Sequence, residues 1–169
     1  MELAILSCNK KLNNDTAFQI FAMYEYLKRQ GNNVQVVDCG LKDYKKNYDF
    51  LSSNVVLTVN TYADYRQVEE NQPLVDKYII LNYDCDSENL NLNGKENIIY
   101  GINNISNKQI EKIANDGYKI SSLIDLKNKN IKNVVDPVFL ISKEQWLDEI
   151  NQKSKIDIGT DYVLVYSDI

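Results

Sequence analysis

Short apolar runs of strand length alternate with stretches of helical periodicity along this chain, and that alternation constrains its fold more than any other feature. Leu3-Ala4-Ile5-Leu6, Val34-Gln35-Val36-Val37, Val55-Val56-Leu57-Thr58-Val59, Tyr78-Ile79-Ile80-Leu81 and Ile98-Ile99-Tyr100 read as buried strands, because near-continuous apolar runs bury both faces of an extended segment. Tyr118-Lys119-Ile120 and the run Ile131 to Val135 return to the sheet. Between these runs, Thr16 to Gln30 places Ala17, Ile20, Phe21, Tyr24 and Leu27 at helical spacing, with Thr16 and Gln19 as a capping box and Gly31 as the stop. Ser106 with Gln109 opens a second capped helix that carries Ile110, Ile113 and Ala114 and stops at Gly117. Ser142 with Gln145 opens a third, bearing Trp146, Leu147 and Ile150. Shorter helices are expected near Asp43 to Leu51, from Tyr62 to Asn71 and near Leu123, with Asp84 to Glu96 as loop. Strands joined by helical crossovers run parallel. The expected fold is therefore α/β: a Rossmann-like open sheet, mostly parallel, with helices on both faces.

At 169 residues and 44% hydrophobic content, the chain has the material for one packed core, assigned to residues 1–160. Asn151 to Thr160 is polar and linker-like, and Tyr162-Val163-Leu164-Val165-Tyr166 is strand-like. The segment 161–169 is thus expected as a terminal strand, either the start of a second domain or a return to the same sheet. The 19 Lys and Arg against 24 Asp and Glu leave a net charge of −5, which gives no positive field for nucleic acid or an anionic membrane surface. No run approaches the roughly 18 apolar residues of a membrane span, and Met1 to Leu6 is too short for a signal peptide. Cys8, Cys39 and Cys85 are odd in number and lack a CxxC pair, so the expectation is a reduced, cytoplasmic protein. Cys8 and Cys39 each follow a strand, which allows a thiol pair but favours small buried hydrophobes.

The chain has no histidine, which removes Ser-His-Asp and Cys-His relays, histidine metal sites and the usual neutral-pH proton shuttle. The loop Ser7 to Asp15 joins the carboxyl end of the first strand to the amino end of a helix, where open α/β sheets bind ligands. It has no glycine, so it offers no dinucleotide or P-loop cradle, and no cofactor is expected. Asp15 sets a carboxylate against the positive helix end, a capping role that competes with an incoming anion. Asp84, Asp86 and Glu88 form an acidic cluster whose order does not match a calcium loop, so no metal is assigned. The 12 Tyr residues suit either a carbohydrate-facing surface or half-buried ring positions.

Two stretches carry a family likeness. Asn13-Asn14-Asp15-Thr16-Ala17-Phe18-Gln19-Ile20-Phe21-Ala22-Met23, continuing through Leu27, Gly31 and Val34 to Asp38, resembles the first loop, helix and strand of the polysaccharide pyruvyl transferase family. Val134-Val135-Asp136-Pro137-Val138-Phe139-Leu140-Ile141-Ser142-Lys143-Glu144-Gln145-Trp146, with Tyr162 to Tyr166, resembles the segment that closes that family's first domain; Ile98-Ile99-Tyr100-Gly101 and Lys119-Ile120-Ser121 fit it more loosely. The resemblance implies the first domain of a glycosyltransferase-B-like enzyme of exopolysaccharide biosynthesis, which transfers a pyruvyl group from phosphoenolpyruvate onto a sugar of a cell-surface polysaccharide. It implies substrate binding by Asn13, Asn14, Asp15 and Gln19, with a sugar or glycan acceptor and phosphoenolpyruvate as partners. A second domain, a second chain or another copy of this one would complete the site. The chain departs from the family where Asp15 replaces a glycine and Leu123-Ile124-Asp125 an Arg-Glu pair, and no counterpart of the family's Gly-Ser-Asp segment is present. Those departures keep a second reading open, a non-catalytic α/β module that binds a glycan or a protein.

Overall fold

The first strand organises the topology of the computed structural model, which describes residues 1–8, 12–83, 91–92, 96–102, 106–123 and 131–153. β1 (Glu2–Ser7) leads through α1 (Asn14–Arg29) to β2 (Asn33–Cys39), and a 3₁₀ turn at Leu41–Asp43 with α2 (Lys45–Asn54) leads to β3 (Leu57–Tyr62). The chain then crosses the sheet through α3 (Tyr65–Glu70) to β4 (Lys77–Leu81) and continues to β5 (Ile98–Ile102), α4 (Asn107–Asn115), β6 (Lys119–Ser122) and β7 (Lys132–Asn133). A second 3₁₀ turn, Pro137–Phe139, precedes α5 (Lys143–Lys153). The strands stand in the order β3-β2-β1-β4-β5-β6-β7, and every pair is parallel. This is the expected Rossmann-like α/β sheet.

Side-chain alternation along the strands explains why helices flank both faces. Leu3 and Ile5 of β1, with Val34, Val36, Ile79 and Leu81 of its neighbours, pack on one face against Ile20, Phe21 and Met23 of α1 and Leu51 of α2. Ala4 and Leu6, with Val37, Tyr78, Ile80 and Ile99, pack on the other against Val68 of α3 and Ile113 of α4. In-register pairing of Ile5 with both Val36 and Ile79 keeps each layer continuous across the central strands. A fully buried Ile, Leu or Phe contributes about 1.5–3 kcal/mol relative to exposure, so these two layers carry the fold.

The helix boundaries follow the capping chemistry, with one correction. The Ser106–Gln109 box is formed in both directions, and Ser142 N–H donates to Gln145 Oε1 while Gln145 N–H donates to Ser142 Oγ. Gly31 ends α1 with φ of 79°, a left-handed backbone that glycine adopts without strain. Thr16 and Gln19, however, do not form a capping box: α1 starts earlier, and Asn13 is its cap, accepting from Thr16 N–H at 2.8 Å. β3 begins two residues after the start of the apolar run that predicts it and extends three residues past its end. Val55 closes α2 instead, donating its N–H to Leu51 O at 2.8 Å. As an edge strand β3 leaves Val59 fully exposed. No helix among the described residues is long and apolar enough to cross a membrane. The acidic cluster Asp84 to Glu88, Cys85 and the strand-like segment Tyr162 to Tyr166 lie outside the described residues.

Candidate functional site

Strand order reverses at β1, whose neighbours β2 and β4 belong to opposite halves of the sheet. The carboxyl ends of these three strands therefore border the crevice in which open α/β sheets bind ligands. The described residues on either side of positions 9–11, which lie outside the described residues, are anchored there by three hydrogen bonds. Cys8 N–H donates to Leu81 O at 2.9 Å, Tyr65 OH donates to Ser7 O at 3.0 Å, and Asn47 Nδ2 donates to Leu12 O at 2.7 Å. Ser7, Cys8 and Leu12 are buried, whereas Asn13, Asn14 and Asp15 emerge at the tip of α1.

These three residues lie together, but their side chains have different work. Asn13 spends its amide oxygen on the helix cap, and Asp15 stands in the first turn, where the helix end carries about half a positive charge. Gln19 lies six residues beyond Asn13, about 9 Å down the helix axis. It is half-buried, and its Nε2 donates to Asp136 Oδ2 at 2.8 Å. Asp136 uses its other oxygen to accept from Val138 N–H at 3.0 Å and so caps the 3₁₀ turn before α5. Trp146 of α5 continues this joint. Its ring meets Phe18 and Phe21 at centroid distances of 5.8 and 5.3 Å, and its Nε1 donates to Val138 O at 3.1 Å.

Two further polar residues at the same sheet edge escape sequence reasoning. Asp38, at the carboxyl end of β2, is 2% exposed. Its Oδ2 accepts from Thr61 Oγ1 at 3.2 Å and Tyr48 OH at 3.3 Å and lies 3.8 Å from Lys42 Nζ, while its N–H donates to Thr58 Oγ1 at 3.1 Å. Its Oδ1 is buried with no hydrogen-bond partner among the described residues, as is Nδ2 of Asn82, which follows β4 with φ of 54°. The signal available in the sequence was position: each is the first strongly polar residue after an apolar strand run.

The electrostatics of the edge oppose thiol chemistry. Burial, then Asp64 and Asp38, push the Cys39 thiol up to about 12, so it stays protonated and unreactive at neutral pH. Cys8 is buried, and neither it nor Cys39 forms a disulfide. Tyr65 is raised far above the ordinary phenol range by burial and then by Cys8 and Cys39. Four of the twelve tyrosines serve as pins: Tyr62, Tyr65, Tyr78 and Tyr100 each donate to a backbone carbonyl, at 2.8 to 3.0 Å. No group of three or more His, Cys, Asp or Glu among the described residues is placed to hold a metal ion. What the edge presents is hydrogen-bond acceptors and amides beside a helix end, an arrangement suited to hydroxyl groups. Comparison with known proteins gives no significant likeness: no family model, no curated protein and no solved structure matches the chain.

Proposed function

We propose that this chain is the acceptor-side domain of a polysaccharide pyruvyl transferase-like protein, which holds a sugar while a pyruvyl group arrives from phosphoenolpyruvate. The observation that carries the reading is the joint between Gln19 and Asp136. Two stretches 117 positions apart bear the family likeness, and their polar side chains meet at 2.8 Å with Trp146 packed beside them. A chance likeness at two separate stretches has no reason to converge on one contact. Transfer from phosphoenolpyruvate requires cations for its phosphate and carboxylate and a proton donor for its enol carbon. The acceptor-rich edge around Asp15, Asp38 and Asn82 fits a neutral sugar better than that trianionic donor. On this reading the donor's cations come from a second domain, a second chain or another copy of this one, and the assembly works in the cytoplasm, where Cys8 and Cys39 remain thiols.

A second reading is favoured by one specific observation: Asn13 Oδ1 is already committed to the helix cap and Asp15 occupies the helix end, so the anion position of the loop is taken. It makes the chain a non-catalytic glycan-binding or protein-binding module. One experiment separates the two. Phosphate release from phosphoenolpyruvate is measured with a panel of acceptor sugars, for this chain alone and with its cell extract fractions added back, and sugar binding is followed by ligand-observed NMR. Sugar-dependent release in any arm supports the transferase reading. Sugar binding with no release in every arm supports the binding module and overturns the transferase.

A further inference from the structure

We infer that the cavity between α4 and the β5–β6–β7 margin of the sheet is a binding site for a small apolar carboxylate, and that Lys132 holds its anionic end. This goes beyond the sugar-binding reading and concerns a place apart from the crevice at β1. The cavity arises from strand length. β5 pairs with β6 from Ile98↔Lys119 onward, but β7 pairs with β6 only through Ser121↔Lys132 and Ser122↔Asn133. Beside Lys119 and Ile120 the outer flank of β6 therefore has no strand partner among the described residues. The space left there measures about 720 Å³, within the range of small-molecule sites. Its walls are apolar: Ile98 and Tyr100 of β5, Ile120 of β6, Ile131 and Val134 on either side of β7, and Ile110 of α4. All of these but Ile110 are half-buried rather than buried, and Ala114, Lys119 and Lys132, which also line the cavity, are exposed. A molecule from solution therefore reaches the walls.

The polar groups select the occupant. Apolar walls strip water from a ligand and return no hydrogen bonds, which disfavours a bare sugar. Ser121 Oγ donates to Ile99 O at 3.3 Å and Tyr100 OH donates to Val135 O at 2.8 Å, so both hydroxyl protons are spent. Lys119 Nζ lies 3.1 Å from Glu96, which also takes Lys77 at 2.8 Å. Lys132 differs from them: no carboxylate lies within 4 Å of it among the described residues. Glu111 also lines the cavity, but on the exposed face of α4, where water screens it. With the ion pairs counted, Lys77, Lys119 and Lys132 exceed Glu96 and Glu111 by one positive charge, in a chain whose net charge is −5. A single unpaired ammonium beside an apolar wall matches a singly charged carboxylate with an aliphatic or aromatic body. A phosphate calls for more donors than one lysine gives.

The test titrates the intact chain with octanoate and 3-phenylpropionate, below the concentrations at which they aggregate, and with the neutral counterparts 1-octanol and 3-phenylpropanol, by protein-observed NMR and calorimetry. The expected result is that one carboxylate binds with one-to-one stoichiometry and at least about fivefold more tightly than its alcohol. Lys132→Gln is expected to remove that preference and leave the alcohol unaffected. Ala114→Phe fills the cavity from an exposed helix position and is expected to abolish binding of both without lowering the melting temperature. Neither substitution touches a buried residue, so both variants remain available as folded proteins. Failure of every carboxylate to bind overturns the inference, as does equal binding of carboxylate and alcohol to the unaltered chain. Binding that persists in Ala114→Phe overturns it too, since the ligand would then sit elsewhere. A concentration-dependent dimer that Ala114→Phe breaks up would assign the cavity to a second copy of the chain and overturn the carboxylate site.

Discussion

The Gln19–Asp136 joint makes the sharpest energetic prediction, because one carboxylate serves two partners from different parts of the chain. Asp136 Oδ2 accepts from Gln19 Nε2 at 2.8 Å and Oδ1 accepts from Val138 N–H at 3.0 Å. A hydrogen bond to a charged group contributes about 1.5–3 kcal/mol when buried, and half-exposure reduces this to about 1. The cap adds about 1 kcal/mol. Asp136→Ala is therefore expected to cost about 2 kcal/mol, Gln19→Met about 1, and the double variant little more than Asp136→Ala, giving a coupling energy near 1 kcal/mol. In a chain of this size each kcal/mol lowers the melting temperature by about 2–4 °C. Urea unfolding followed by tryptophan fluorescence reads this directly, since Trp146 is the only tryptophan and its Nε1 is bonded to Val138 O within the joint. Asp136→Asn should fall between wild type and Asp136→Ala, because one acceptor oxygen survives. A coupling energy below about 0.3 kcal/mol would refute the reasoning. It would mean that the 3₁₀ turn is held by Trp146 packing alone, and the contact that supports the transferase reading would lose its weight.

Gly101 and Gly31 share positive φ, 75° and 79°, but an added Cβ at Gly101 meets Leu123 Cγ at 3.2 Å while one at Gly31 meets nothing within 4 Å. Gly31→Ala should cost about 1 kcal/mol from backbone conformation alone, and Gly101→Ala clearly more; equal losses in urea unfolding would contradict the close approach. Because folding raises the Cys39 thiol from 9.0 to about 12, its contribution to stability is full below pH 9 and is lost as pH rises through 12. The urea midpoint should hold steady from pH 7 to 8.5 and fall above pH 9, and Cys39→Ser should lessen that fall; an unchanged alkaline limb in the variant would show that the raised tyrosines alone account for it. Asp15→Asn should lower helix stability by about 0.3–1 kcal/mol while strengthening phosphate binding at the tip of α1 in low salt. Phosphate affinity indifferent to the change, measured by NMR titration, would show that the carboxylate does not guard that position.

The fold was legible because local and global signals agreed. Strands such as Leu3 to Leu6 and Tyr78 to Leu81 announce burial on both faces, and the caps at Ser106 and Ser142 need only residues three positions away. Where a distant partner intervened, local pattern failed. Thr16 and Gln19 have the spacing of a capping box, but Asn13 takes the cap and Asp136, 117 positions away, takes the Gln19 amide. The Val55-Val56 pair has strand propensity, yet Val55 is fixed by closing α2, which shifts the start of β3 by two residues. The site was partly legible for the same reason. Asn13 to Asp15 follow from their place after β1, whereas the significance of Asp38 depends on Tyr48, Thr61 and Lys42 arriving from three other segments. Periodicity carries no information about such convergence.

The two unpaired polar atoms, considered with the charges beside them, limit what this sheet edge can hold. A carboxylate at the tip of α1 offsets the half positive charge of the helix end, and a second carboxylate is buried at the end of β2 with one oxygen unspent. An anionic ligand placed near them would meet repulsion from both carboxylates, weak from the exposed Asp15 and stronger from the buried Asp38, where water screens least. A neutral hydroxylated ring meets none and gains donors and acceptors on both sides. The edge thus suits an uncharged ligand better than an anionic one. Under the proposed transferase reading, the anionic donor would therefore be held by cations that approach from across the crevice, and the reading stands or falls with such a completing surface.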